Sequence, residues 1–157
     1  SFKRNCRLVQ LNLSNNEITP YGMQFLTEAL CEKTSVNSLE VLDLSQNPLG
    51  NMGVSSFSKF LKHENCKLKS LNILDCKFYG KAAEEFWASV RQSYNLETLI
   101  ADNNDFSSSM VGKAINLAIG ISLMHLQLNN CKLGDKGGAA IAEAIARSKH
   151  LRVLQIS

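Results

Sequence analysis

The sequence predicts an α/β solenoid, in which short parallel strands stack into one sheet and a helix follows each strand on the outer side through right-handed connections. Three observations predict it. The spacing Leu-x-x-Leu-x-Leu-x-x-Cys-x-Leu at residues 123–133 has four upstream counterparts: Leu8, Leu11, Leu13, Asn16 and Ile18; Leu39, Leu42, Leu44, Asn47 and Leu49; Leu68, Leu71, Ile73, Cys76 and Phe78; and Leu96, Leu99, Ala101, Asn104 and Phe106. With a truncated sixth unit at Leu151, Leu154 and Ile156, the first leucines lie 31, 29, 28, 27 and 28 residues apart. Within each unit the apolar period changes from two residues, which suits a strand, to three and four, which suits a helix. A unit of this length holds one strand and one helix, and neither buries its apolar face until the next unit stacks on it.

The first unit places Leu11 and Leu13 inward, with Gln10, Asn12 and Ser14 outward. Thr19-Pro20 then starts a helix, Thr as the cap and Pro in the first turn, where its missing N–H costs nothing. That helix, Tyr21 to Lys33, turns Met23, Leu26, Ala29 and Leu30 inward. In the second unit Gly50 and Gly53 mark a helix whose stripe is Val54, Phe57, Phe60 and Leu61. The third has a helix from about Lys81 to Gln92, with Ala83, Phe86, Trp87 and Val90 inside and Glu84, Glu85 and Arg91 in water. In the fourth, Ser107-Ser108-Ser109 supplies a cap before Val111, Ala114, Ile115, Ala118 and Ile119. The fifth helix, roughly Asp135 to Ser148, faces Ile141, Ala144 and Ile145 inward, and small Gly138, Ala139 and Ala140 allow a close neighbour. Ala101, standing at a leucine position, predicts a thinner core beneath the fourth unit.

Asn16, Asn47, Cys76, Asn104 and Cys131 share one position, just after the strand. The chain must bend there, which turns backbone N–H and C=O groups toward the interior, and a buried polar side chain is needed to satisfy them. An Asn amide offers two donors and an acceptor, while a Cys thiol offers a weak donor in less volume. All five are therefore expected to be buried and structural. Cys76 and Cys131 lack the second pair of ligands that a metal site requires.

In these features the chain resembles a leucine-rich repeat protein of the ribonuclease-inhibitor-like class, over about Leu8 to Ser157. The resemblance implies a horseshoe with a concave parallel sheet and convex helices, and a single domain over 1–157 of five full repeats plus the truncated sixth. It also implies a role in recognition. Relatives of this kind include cytosolic innate-sensor repeat domains, actin-filament-end-capping repeat domains and Ran GTPase-activating proteins; a structural spacer is the remaining alternative.

Composition narrows the rest. The chain has 157 residues, 45% hydrophobic and 20% charged, as a folded domain requires. Its net charge of +3 is spread evenly, with nine basic and seven acidic residues up to Phe78 and eight and seven after it, so nothing calls for nucleic acid. No apolar run is long enough to span a bilayer. Five scattered cysteines suit a reducing compartment, the cytoplasm or nucleus. The run Gly134-Asp135-Lys136-Gly137-Gly138 lacks the spacing of a phosphate loop and falls where the other units start their helices. His63, His125 and His150 lie in different units with no nucleophile or ligand partner nearby. The basic group Lys59, Lys62, His63, Lys67, Lys69, Lys77 and Lys81 reads as a solvated rim. The sequence thus predicts a non-enzymatic domain with no cofactor.

The outward strand positions are the ones free of packing duty. They form three rows: Gln10, Val41, Ser70, Thr98, His125 and Val153; Asn12, Asp43, Asn72, Ile100, Gln127 and Gln155; and Ser14, Ser45, Leu74, Asp102 and Asn129, with Asp75 beside the third. Most are small and uncharged. Leu74 and Ile100 are apolar residues facing water on adjacent units, so the expected protein-binding patch comprises Asp43, Leu74, Asp75, Ile100, Asp102, His125 and Gln127. Leu151, Leu154 and Ile156 are expected to lack cover, which predicts that the chain is a segment of a longer repeat protein or makes an end-to-end contact there.

Overall fold

The computed structural model describes residues 8–32 and 38–157. Its elements alternate without exception: β1 (Gln10–Asn12), α1 (Pro20–Cys31), β2 (Val41–Asp43), α2 (Gly50–Leu61), β3 (Ser70–Asn72), α3 (Gly80–Val90), β4 (Thr98–Ile100), α4 (Ser109–Ile119), β5 (His125–Gln127), α5 (Gly134–Arg147) and β6 (Val153–Gln155). The strands form one parallel six-stranded sheet in sequence order. Pairing is in register throughout, so Leu42, Leu71, Leu99 and Leu126 form one inward column. Strands repeat at about 4.8 Å, whereas packed helices need about 8–10 Å, so the stack fans out and its sheet lies on the inner curve.

Three-residue strands are held by more than their own ladder. The carbonyls of Val9, Glu40, Lys69, Glu97 and Met124 each accept two N–H groups from the next repeat, as in Glu40 and Val41 to Val9. Pairing then continues past the strands, from Gln46 N–H to Leu74 O, Asp75 to Asp102 and Asn103 to Asn129. Just there Asn15, Gln46, Asp75, Asn103 and Asn130 adopt φ between 54° and 58°. This left-handed step makes the bend, and Asn and Asp tolerate it better than other non-glycine residues.

The helix starts follow the sequence with adjustments. Ser108 caps α4, its hydroxyl accepting from Met110 N–H at 3.3 Å. Thr19 occupies the cap of α1, but its side chain makes no capping bond and Pro20 supplies the start. Gly50, Gly80 and Gly134 open their helices with φ between +54° and +59°, a conformation that a Cβ would strain. The glycine-rich run is indeed the start of α5.

Most of the expected inward residues are buried, among them Val54, Phe57, Phe60 and Leu61 of α2 and Ala83, Phe86, Trp87 and Val90 of α3. Several expectations are corrected. Ala29 is exposed, and α1 buries Thr27, whose hydroxyl donates to Met23 O. Glu84 and Glu85 are half-buried between helices, accepting from Ser108 and Ser55. Gly138 and Ala139 face outward; the close approach is made by Gly137, against Gly112 of α4. Ile145 is 49% exposed and Ile156 45%, because no further element packs against that side of α5 and β6 among the described residues. Leu151 and Leu154 are half-buried.

Ala101 is fully buried, as are Leu99 and Phe106 of the same repeat. Repeats three and four share a cluster of rings: Phe78 packs on Phe86 and Phe106 at 5.4 and 5.6 Å, and Trp87 on Phe86 and Phe106 at 5.7 Å, all edge-on. Trp87 is wholly buried, and its Nε1–H has no hydrogen-bond partner among the described residues. Removing that donor offsets part of the cost of a smaller ring. Trp87→Phe is expected to cost less than about 2 kcal/mol and Trp87→Ala about 3–5 kcal/mol in urea unfolding; equal costs would show that the indole N–H is no burden.

Candidate functional site

The bend after each strand determines which outward residues remain free. Asn47 is 1% exposed. Its Nδ2 donates to Leu13, Leu44 and Ser45 carbonyls, and its Oδ1 accepts from Asn16 and Ile18 N–H of the preceding repeat. Asn104 repeats the arrangement with Ile73, Ala101 and Asp102 carbonyls and Cys76 N–H. Cys76 Sγ donates to Leu44 O at 3.3 Å and Cys131 Sγ to Ala101 O at 3.3 Å. Burial holds these thiols protonated, raising Cys76 to about 12 and Cys131 to about 11, so each keeps its donor. Asn16 is the exception: it is exposed, and its amide bonds only Ser14 O, since no earlier repeat lies beside it among the described residues.

The outward rows are less uniformly free than their alternation suggests. Asn12, Asp43 and Asn72, at the strand ends, each accept from the N–H two residues on, at Ser14, Ser45 and Leu74. Asp43 also accepts from the Ser45 hydroxyl at 2.6 Å and from Asn72 Nδ2 at 3.1 Å. Ile100 and Gln127 occupy the corresponding positions in repeats four and five without such a bond. Asp102 instead serves the next repeat, taking Asn129 N–H and Nδ2 at 2.8 and 3.0 Å, and it is only 8% exposed. Asp75 forms part of the bend, with φ 55°, and pairs with Lys77 at 2.5 Å.

The seven residues singled out therefore divide. Asp43, Asp75 and Asp102 shape the surface with committed carboxylates. Leu74 and Ile100 are half-buried, not fully in water, and His125 and Gln127 have side chains with no hydrogen bond among the described residues. Register brings Ile100 beside Gln127 and Thr98 beside His125, whose other neighbour is Val153, 39% exposed. Thr98 and Val153 were visible in the outward row but carried no signal of their own, being small and in strands of ordinary composition. The resulting surface can offer an apolar contact and neutral donors and acceptors. Among the described residues no cluster of His, Cys, Asp and Glu could hold a metal, and no helix is long and apolar enough to cross a membrane.

The rim beside this face carries paired charge. Lys69 bridges to Glu40 at 2.9 Å and Lys77 to Asp75, so the basic group of repeats two and three is partly neutralised, and Lys132 of repeat five bridges to Asp105 at 2.9 Å. Hydrogen bonds from Ser107 hold the Asp105 carboxyl down to about 2, with Lys132 adding to the effect. A depressed carboxyl stabilises the fold above its unfolded value near 4, and that contribution is lost as pH falls toward 2. Partial exposure limits it to about 1 kcal/mol. Ser107→Ala is expected to raise the Asp105 titration midpoint in carboxyl NMR and to narrow the acid-sensitive window; an unmoved midpoint would refute this assignment.

Comparison with known proteins agrees with this geometry. The Leucine Rich repeat family model matches residues 4–26, 37–58 and 121–142. Mouse ribonuclease inhibitor is 27% identical over 97% of this chain and 33% of its own length. Human NACHT, LRR and PYD domains-containing protein 12 is 29% identical over 96% of this chain and 14% of its own. The chain thus spans a third or less of these relatives. Among solved structures, the tropomodulin C-terminal domain of Caenorhabditis elegans superposes with a TM-score of 0.73 at 16% identity, covering 92% of this chain and 87% of that one, which speaks for the fold alone. Repeat length, bend chemistry and these matches agree: the chain is built of leucine-rich repeats and is related to ribonuclease inhibitor.

Proposed function

We propose that this domain is a non-enzymatic recognition module that binds another protein on its sheet face. One observation carries the reading: the face opposite the helices holds Ile100, Gln127, Thr98, His125 and Val153 in adjoining strands, with no helix covering them and no bend duty. Such a surface is apolar at its centre and polar around it, as interfaces are. Asp43, Asp75 and Asp102 fix the shape of the patch, so they act through Leu74, Ile100 and Gln127 and not by direct pairing. The name of the ribonuclease inhibitors describes a protein that acts on a ribonuclease, and a ribonuclease is accordingly the first probe to try.

The thiols at Cys76 and Cys131 serve as hydrogen-bond donors, which supports a cytoplasmic setting. We also propose that the apolar end formed by Leu128, Leu133, Ile141, Ile145 and Ile156 is covered by a further repeat or an end-to-end contact, since these side chains surround a hollow of about 500 Å³.

Leu74→Asp with Ile100→Asp is the direct test, using the partner recovered by affinity capture and measured by calorimetry. Placing two charges at the centre of a contact is expected to weaken binding at least about a hundredfold. Circular dichroism checks that the half-buried sites tolerate the change, and His125→Ala with Gln127→Ala, which removes side chains without adding charge, is expected to weaken binding about tenfold or more. Unchanged affinity in both variants would exclude the sheet face.

A further inference from the structure

The outer, helical face carries a second feature that the sheet face does not explain. Between α4 and α5 lies a groove of about 530 Å³ bordered by Lys113, Lys136 and Arg147, with Leu117, Ala139 and Ala140 supplying its apolar surface. We propose that this groove docks an acidic protein segment that also carries an apolar side chain.

Its shape follows from the sequence. Gly112 and Gly137 bring the two helices together: a Cβ added at Gly112 would lie 3.3 Å from Gly137 Cα. Next to that contact, the methyl groups of Ala139 and Ala140 are too small to fill the space between the helices. Asn116, 8% exposed, ties the groove together by donating to Ala140 O at 2.7 Å and to Glu143 at 3.1 Å, while its Oδ1 accepts from Arg147. The only carboxylate in the lining, Glu143, is thus already engaged with Asn116.

Charge decides the occupant. Lys113 and Lys136 are exposed and have no hydrogen bond or ion pair among the described residues, and Arg147 borders the same hollow. Three cations therefore face one carboxylate. The equivalent groove between α1 and α2 is lined by Lys59 with Glu28 and Glu85, one cation against two acids. The basic character is thus strongest in this groove: the hollow between α3 and α4 is lined by Arg91 alone among charged residues, and the one at α1 and α2 is acidic on balance. Leu117, 49% exposed, also walls an adjoining hollow that contains Arg91 and Tyr94, the residue types that most often anchor protein contacts. An acidic segment lying across α4 satisfies the lysines and places an apolar side chain against Leu117 and Ala139. A nucleic acid would satisfy the lysines but would leave that apolar surface unused.

Fluorescence anisotropy tests this with the intact chain and a short labelled peptide of Glu and Leu, at low ionic strength. The comparison probes are the same peptide with Gln for Glu, the same with Ser for Leu, and a single-stranded oligothymidine of similar charge. The Glu/Leu peptide is expected to bind best, and Lys113→Glu with Lys136→Glu to weaken it at least about tenfold. Both lysines are exposed, so the variant keeps its fold. Lys59→Glu with Lys62→Glu, at the end of α2, is expected to leave the affinity unchanged. Absence of binding, an equal loss in the Lys59/Lys62 variant, or equal binding of the Gln peptide would overturn the proposal. Tighter binding of the oligothymidine would replace it with a nucleic-acid site.

Discussion

Everything in this fold depends on satisfying the backbone where each strand bends toward its helix. The strands are only three residues long, so their ladders cannot hold the stack alone. The bend turns peptide groups inward at the most buried part of each repeat, and the Asn or Cys at that position pairs them. Asn47 and Asn104 reach both their own repeat and the preceding one, so each is a joint between two units as well as a support for one bend. Cys76 and Cys131 do the same with less: each thiol lies against a carbonyl of the preceding repeat and another of its own. The ring cluster around Trp87 and the leucine columns add apolar burial, but only the bend fixes the register that aligns them.

That dependence explains which parts of the sequence were legible. Period and spacing revealed the strands, the helices and their order, because both reflect the geometry of one repeat. The errors arose where neighbouring repeats decide the outcome. Asn16 carries the right residue type but is exposed, since its partners would belong to an earlier repeat. Ile145 has the right helical phase, yet nothing packs on its side among the described residues. Glu84 and Glu85 looked solvated because a single helix cannot show that Ser108 and Ser55 face them. Asp102 is the most instructive case. Alternation placed it outward, but Gln127 does not give Asn129 N–H the acceptor that Asp43 and Asn72 give two residues on in their repeats, and Asp102 of the preceding repeat takes that N–H instead. The partner of Asp102 lies in the next repeat, which no count within a repeat detects.

The same reasoning separates the two surfaces. On the sheet face, residues released from the bends concentrate at repeats four to six, and the acidic residues there are mostly committed to structure. On the helical face, small residues in α4 and α5 open a groove whose lysines have no partner among the described residues. The two surfaces lie on opposite sides of the same repeats. An occupant of one leaves the other accessible, so the domain has room for two contacts at once.

The central claim is that the bend position joins repeats through buried hydrogen bonds, and substitutions at Asn104 test it most directly. Equilibrium urea unfolding of Asn104→Ala, Asn104→Cys and Asn16→Ala is the measurement. Asn104→Ala leaves several buried groups unpaired and is expected to cost about 3 kcal/mol or more. Asn104→Cys keeps a small donor and acceptor at the same place and is expected to cost distinctly less, and Asn16→Ala, in water, less than about 1 kcal/mol. Equal losses at Asn104 and Asn16, or no difference between Ala and Cys, would contradict the account.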